Sequence, residues 1–392
     1  MRTAILALLA STALIGCSGA SEGNAVSNGE AAMQNAAAPA AQPLPATGKP
    51  FAVAAVADFD APWAMTFLPD GRMLVTEKAG RMLLVSADGT SRTQVGGIPA
   101  VDSAGQGGLM DVVLDPQFAQ NARVYFSYSE SGSGGKGVVL ARGTMAGGDS
   151  PVLNDVQTLF RATPYVSGDG HYSGRIAFSP DGFLFFANGE RQKFDPAQDK
   201  RGTLGKILRL TVDGRPAPGN PLAGQGFLPE VWSYGHRNIL GLAFDSAGNL
   251  WEQEMGPKGG DEVNLILPGR NYGYPVVSNG DHYDGRPIPD HSTRPEFEAP
   301  KVSWNPVISP AGLMLYTGDM FPEWKGDLFI GGLSSQALIR VDVNGLTATK
   351  GDQWAMGARI REVEQGPDGS LYVLEDGGRG SGGRLLRLSR PN

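Results

Sequence analysis

Phe67-Leu68-Pro69-Asp70-Gly71, running on into Arg72-Met73-Leu74-Val75-Thr76, is a tight turn followed by a short apolar strand. Pro presets φ at the first corner, and Asp and Gly suit the positions after it. The phrase returns as Leu114-Asp115-Pro116, Phe178-Ser179-Pro180-Asp181-Gly182, Phe244-Asp245-Ser246-Ala247-Gly248, Tyr316-Thr317-Gly318-Asp319 and Gly366-Pro367-Asp368-Gly369. Its aspartates, Asp70, Asp115, Asp181, Asp245, Asp319 and Asp368, stand 45, 66, 64, 74 and 49 residues apart. Runs such as Arg123-Val124-Tyr125-Phe126-Ser127-Tyr128 and Ser370-Leu371-Tyr372-Val373-Leu374 are also bounded by turn residues, and helical periodicity is almost absent. Six units of this length predict an all-β fold, a six-bladed β-propeller over residues 49–392. A pair of β-sandwiches and a seven-bladed ring are the alternatives. In a propeller, loops from every blade converge at one end of a central channel, so residues far apart in sequence can meet in one polar site.

Composition narrows the function. The 392 residues carry 33 Lys+Arg against 40 Asp+Glu, a formal charge of −7, which argues against a nucleic-acid partner. Hydrophobic residues at 41% supply a core and exclude global disorder. With 56 glycines and 28 prolines a helical bundle is disfavoured. Beyond the N-terminus no apolar run approaches the ~20 residues of a membrane-spanning helix. The single cysteine, Cys17, permits neither an internal disulfide nor a Cys-based metal site.

The first residues read as an address. Met1-Arg2 is a short positive region, Thr3 to Ile15 is apolar, and Leu14-Ile15-Gly16-Cys17 fits a bacterial lipobox. Residues 1–16 are expected to be a lipoprotein signal peptide and Cys17 the lipidated residue, with an ordinary secretory signal as the alternative. Residues 17–48, rich in Ala, Ser, Asn, Gly, Gln and Pro, cannot bury enough surface to offset their ordering entropy and are expected to be a flexible tether. These readings predict a periplasmic or cell-envelope lipoprotein that meets the membrane only through its lipid.

Four groups could carry chemistry. His171, in Ser167-Gly168-Asp169-Gly170-His171-Tyr172-Ser173-Gly174-Arg175, has a side chain suited to taking a proton from an alcohol, or to bonding loop backbone. His236-Arg237-Asn238 sets a guanidinium beside a carboxamide, a pair that can bind a carboxylate or quinone oxygen, or a surface ion pair. Glu254 to Glu262 combines carboxylates with Gly and Pro carbonyls, the donors calcium prefers, or forms a solvated acidic turn. Arg359-Ile360-Arg361 puts two guanidiniums on one side of a strand, able to clamp a multiply charged anion, or merely at alternate exposed positions. Gly132-Ser133-Gly134-Gly135-Lys136-Gly137 satisfies G-x-G-x-x-G, but with no helix after it the segment reads as a hairpin loop.

Gly105-Gln106-Gly107-Gly108-Leu109, Gly170-His171-Tyr172-Ser173-Gly174-Arg175, Gly235-His236-Arg237-Asn238, Gly256-Pro257 through Asp261-Glu262 to Gly269-Arg270-Asn271-Tyr272-Gly273, Phe321-Pro322-Glu323-Trp324, Arg359-Ile360-Arg361 and Gln365-Gly366-Pro367-Asp368-Gly369 occur in this order. Together they resemble the PQQ-dependent aldose sugar dehydrogenases of the glucose/sorbosone dehydrogenase family, from about Pro62 to Leu388. The resemblance implies oxidation of an aldose at its anomeric carbon to the lactone by hydride transfer to pyrroloquinoline quinone (PQQ), with calcium, and electrons passing to a periplasmic acceptor. His171 matches the catalytic base, and Arg237 a group stabilising the reacting oxygen. Gln106, Arg237, Asn238, Tyr283, Leu333, Ser334, Ser335, Arg359, Ile360 and Arg361 match cofactor contacts. Glu262, Tyr272, Gly256 and Pro257 match calcium-site residues. Ser334 stands where relatives often carry Lys, and Met255 where His or Gln is common. A calcium-dependent propeller lactonase and a non-catalytic propeller binding glycans or proteins are the alternative functions.

Overall fold

The computed structural model describes residues 48–391 except 149 and 381; the expected signal peptide, Cys17 and all but the last residue of the tether lie outside the described residues. Six four-stranded antiparallel sheets follow one another along the chain. Their first strands are Pro62–Phe67, Leu109–Leu114, Ser173–Phe178, Ile239–Phe244, Pro310–Leu315 and Ile360–Gln365. Each packs against the next, and the sixth against the first, which closes a ring around a central channel. The six-bladed propeller is therefore the fold. Blades one to five take their four strands from consecutive sequence. The sixth takes three from the C-terminal end, and Ala52–Asp58 completes it by pairing with Arg384–Ser389.

All six repeated aspartates lie in the connection between the first and second strands of a blade. Asp70, Asp115, Asp245 and Asp368 each accept the backbone N–H two residues on, and the Asp245 carboxylate also takes the N–H of Asn249 and the indole N–H of Trp251. The second strands, Met73–Glu77, Leu184–Asn188, Leu250–Glu254, Leu328–Gly332 and Leu371–Glu375, are buried along their whole length. Neighbouring blades cover both of their faces, so even the polar residues they carry, such as Thr76, Asn188, Glu252 and Gln253, are buried. The G-x-G-x-x-G segment is the tight end of a hairpin, Gly132 facing Gly135.

Antiparallel order places the start of every first strand beside the end of every second strand, at the end of the disc opposite the aspartate turns. Gln106, His171, Arg237, Ser309 and Arg359 immediately precede or lead into first strands. Lys78, Glu190, Met255, Leu333 and Asp376 follow second strands. One end of the ring thus gathers residues from all six blades.

Beneath that end, Arg175 joins five blades. Its guanidinium pairs with Glu362 and, at 3.2 Å, with Asp111. Its Nε donates to the Leu240 carbonyl (2.7 Å), and its Cζ lies 4.2 Å from the Trp63 ring centroid. Arg175, Asp111 and Glu362, with Glu364, line a polar cavity in the channel.

Candidate active site

His171 is 1% exposed and sits in the left-handed region, φ +50°. Its backbone N–H donates to Gln106 Oε1 (2.8 Å), and the Gln106 N–H donates to the Asp169 carbonyl (2.7 Å). Gly105, φ +56°, permits this approach: a Cβ there would come within 2.4 Å of Asp169. His171 Nδ1 is paired with Glu190 Oε1. The other oxygen, Oε2, accepts the N–H groups of Lys193 (2.6 Å) and Phe194 (2.9 Å), and the Glu190 N–H donates to the Arg237 carbonyl (2.9 Å). Arg191 holds the loop before the imidazole, donating to the Gly168 carbonyl (2.7 Å) and that of Gly170, with its Cζ 3.6 Å from the Tyr172 ring centroid.

His171, Ser173, Arg191, Gln192 and Phe194 are five of the eleven non-glycine residues at positive φ among the described residues, and all fall between positions 171 and 194. Such conformations cost of order 1–3 kcal/mol each and persist only where surrounding contacts impose them. Here the Glu190 and Arg191 hydrogen bonds do so. Burial, reinforced by Arg237 and opposed by Glu190, pulls the His171 imidazole down to about 4, so it is neutral at pH 7. With Nδ1 directed to the carboxylate, Nε2 keeps a lone pair.

Arg237 Nη1 donates to the Met255 carbonyl (3.0 Å), and its guanidinium lies 5.7 Å from the Tyr274 ring and 6.0 Å from that of Tyr283. Glu254 Oε2 fixes the turn carrying it, accepting the N–H groups of Arg237 (2.5 Å) and Asn238 (3.2 Å). Asn238 Oδ1 accepts from Ser173 Oγ (3.4 Å), joining this turn to the base-bearing loop. Arg359 Nε donates to Asp376 (2.6 Å), and Arg361 Nη2 lies 3.7 Å from the same oxygen. The strand begins only at Ile360, so the two arginines share an acid at the mouth of a strand instead of projecting from its interior. Ile360, between them, is wholly buried in the core. Leu333 is buried too, and its N–H donates to the Ser309 carbonyl (2.9 Å). Ser334 and Ser335 hydroxyls face the carbonyls of Val307 (3.5 Å) and Ile308 (3.3 Å).

The cations crowd one another. Burial, with Arg359 close by, lowers Arg361 to about 10 despite Asp376. Lys78, donating to the Gly105 carbonyl (2.5 Å), is lowered by burial and then by Arg361. This excess of partly buried positive charge fits a flat, polyanionic quinone. Lys78 supplies an ammonium in a site where Ser334 replaces the expected Lys.

Gly256, Pro257, Glu254, Glu262, Tyr272 and His291 line a small cavity that also reaches Arg237. Asp261 braces it, accepting the N–H of Gly256 (2.9 Å) on one oxygen and those of Ile308 (2.8 Å) and Ser309 (2.7 Å) on the other. Burial pushes Glu252 and Asp261 each up to about 7, and burial together with Glu254 drives Glu262 well above its ordinary value. Glu252 Oε2, Asn264 Oδ1 and His291 Nδ1 are buried with no hydrogen-bond partner among the described residues. A buried, carboxylate-rich pocket with unpartnered donor atoms fits a divalent cation. The Tyr272 hydroxyl is committed to the Leu265 carbonyl (2.7 Å) and the Leu267 N–H (2.8 Å), so only its carbonyl faces the pocket's chemistry.

The expected base, the Arg237 turn, Gln106, Tyr283, the arginine pair and the acidic cavity therefore share one end of the ring. Glu190, Lys78, Asp376 and His291 were missed. Glu190 lies two residues beyond the end of its second strand, whereas Glu77, Glu254 and Glu375 are the last residues of theirs, so no shared position marks it in the sequence.

The glucose / sorbosone dehydrogenase family model matches residues 59–387. Aldose sugar dehydrogenase YliI of Escherichia coli (strain K12) is 40% identical over 341 residues, covering 85% of this chain and 91% of the relative. The apo crystal structure of the soluble aldose sugar dehydrogenase from Escherichia coli superposes with a TM-score of 0.81 at 38% identity, covering 87% of this chain and 100% of that one. The PQQ-bound aldose sugar dehydrogenase of Streptomyces coelicolor superposes with a TM-score of 0.72 at 30% identity, covering 88% of this chain and 99% of that one.

Proposed function

Because the chain belongs to the glucose / sorbosone dehydrogenase family, an oxidoreductase family acting on sugars, we propose that it oxidises aldoses at the anomeric carbon to the lactone with PQQ and calcium. The buried Glu190–His171 pair carries this reading: it presents a neutral imidazole, oriented through Nδ1, at the end of the ring where the cations gather. His171 Nε2 accepts the proton of the anomeric hydroxyl, and Glu190 stabilises the imidazolium that forms. Arg237 stabilises negative charge developing on the reacting oxygen. Arg359, Arg361 and Lys78 hold the cofactor's carboxylates, with Gln106, Asn238 and Tyr283 around it. The Gly256 and Pro257 carbonyls hold calcium beside it; Glu262 and Tyr272 mark a second cation position. When bound, PQQ supplies the two-electron acceptor and calcium the Lewis acid at its quinone oxygen.

The proposal extends to the cell envelope, where a lipidated Cys17 tethers the propeller and a periplasmic acceptor takes the electrons. Reconstitution with PQQ and calcium should give sugar-dependent dye reduction with several aldoses. His171→Ala should retain PQQ binding, read by visible absorption, while turnover falls roughly 10²–10⁴-fold. Absence of both PQQ binding and turnover in the native protein, or undiminished turnover in the variant, overturns the reading.

A further inference from the structure

Lys206 is the one buried lysine among the described residues. It opens the strand Lys206–Leu210 and pairs with Asn188 on one side and Tyr234 on the other. Those neighbours lead directly into two halves of the candidate site, Asn188 into Glu190 and Tyr234 into Arg237. An ammonium has three N–H groups, and here all are used. They donate to the carbonyls of Pro196 (2.7 Å), Leu204 (2.8 Å) and Ala197 (3.1 Å). The Ala197 carbonyl also accepts the Gly235 N–H (3.0 Å), and the Ala197 N–H donates to the Phe194 carbonyl (3.0 Å). Phe194 is in turn bonded through its own N–H to Glu190. One ammonium therefore ties the loop that carries Glu190 to the turn that carries Arg237.

A charge in this position is costly. Burial lowers the ammonium from its ordinary value, and Asp199 is the carboxylate that opposes this through space. The groups it bonds are neutral carbonyls. A methionine would fill the same space without desolvating a charge. What it could not do is draw three carbonyl oxygens to one point. The arrangement is that of a small cation site whose ion is attached to the chain. The packing around it leaves little slack. The His236 N–H donates to the Gly205 carbonyl (3.1 Å), and a Cβ at Gly205, φ +68°, would lie 2.6 Å from the His236 carbonyl oxygen and 2.7 Å from Ala197 Cα. We propose that Lys206 is a positioning residue for the reaction, its ammonium fixing the Glu190–His171 pair relative to Arg237 while touching neither substrate nor cofactor. This rests on the dehydrogenase reading above.

In Lys206→Met, assayed with PQQ and calcium, kcat should fall roughly 10- to 100-fold while KM for the sugar and PQQ binding hold, because alignment is lost and affinity is not. The unfolding midpoint is measured alongside. A less stable variant whose folded fraction keeps the native kcat would show that Lys206 only fills the core, and overturns the proposal. Should Lys206→Met not fold, the coupling is read from the other side, in the full chain without PQQ. Of the ten lysines only Lys206 is buried, so its ammonium resonance alone should persist in ¹⁵N-lysine spectra at neutral pH. Glu190→Gln should shift that resonance; an absent or unmoved resonance overturns the proposal. The two readings fail separately. A native protein that oxidises no sugar defeats the dehydrogenase reading and leaves the ammonium spectrum to report on the clamp, whereas an active native protein with an equally active Lys206→Met defeats the clamp alone.

Discussion

Glu190→Gln removes one negative charge from the site and alters little else in shape. In the native site both carboxylate oxygens are engaged. Oε1 holds the His171 ring, and Oε2 holds the N–H groups of Lys193 and Phe194. Glutamine offers a single acceptor. If its oxygen stays on the two backbone N–H groups, its amide donates toward His171 Nδ1, the ring adopts the opposite tautomer, and Nε2 carries a proton when it should accept one. If the amide turns round, two N–H donors at the strained turn face an NH₂ group. Either way a charge-assisted hydrogen bond of about 1.5–3 kcal/mol is lost from the state with protonated imidazole. At 1.36 kcal/mol per decade this lowers kcat roughly 10- to 150-fold. The assay is dye reduction at saturating PQQ and sugar, with the unfolding midpoint measured alongside. PQQ binding should survive, because the arginines and Gln106 are untouched. A kcat within twofold of native, with fold and PQQ binding intact, would refute the role assigned to Glu190.

Other outcomes follow from the same contacts. Arg175→Met leaves Asp111 and Glu362 buried without their cation and should cost about 3–5 kcal/mol of stability by denaturant titration. Burial already raises both carboxyls, Glu362 to about 7, so the native fold of this variant binds more protons than its unfolded chain. Its deficit should therefore be larger at pH 8 than at pH 6; a deficit independent of pH, or below 1 kcal/mol, contradicts the account. The imidazole must be neutral to accept a proton and is held down to about 4 before sugar and cofactor enter. The acid limb of kcat/KM should consequently lie below the ordinary histidine value of about 6.5; a limb at 6.5 or above rules this out. Cys17→Ser should move the protein from the membrane fraction to the soluble envelope fraction, and unchanged partitioning would remove the lipid anchor.

The blade count was legible because Asp70, Asp115, Asp181, Asp245, Asp319 and Asp368 recur in one kind of turn, and a turn built from neighbouring residues leaves a local signature. His171 and Arg237 could be singled out as side chains suited to chemistry, but their meeting depends on ring closure, which no single segment encodes. The resemblance supplied that convergence. Glu190 and His291 escaped because their importance is relational. One is the partner of a histidine 19 residues earlier, and the other is distinguished only by a nitrogen with nothing to bond. Glu77 and Glu254, the last residues of their second strands, likewise accept loop N–H groups, so the role of such an acid lies in contacts that the strand pattern does not show.

Ala52–Asp58 pairs with the last strand of the chain. Every other described blade can zip from neighbouring sequence, but this one waits for residues more than 300 positions away, Arg384–Ser389. The polar end that draws on all six blades is thus assembled only once residues 52–389 are present together, and the seam is also where the segment preceding Ala52 joins the disc. Mechanical load transmitted along that segment would be taken by the hydrogen bonds that fasten the ring. A propeller closed in this way couples the integrity of its candidate site to the strength of its own clasp.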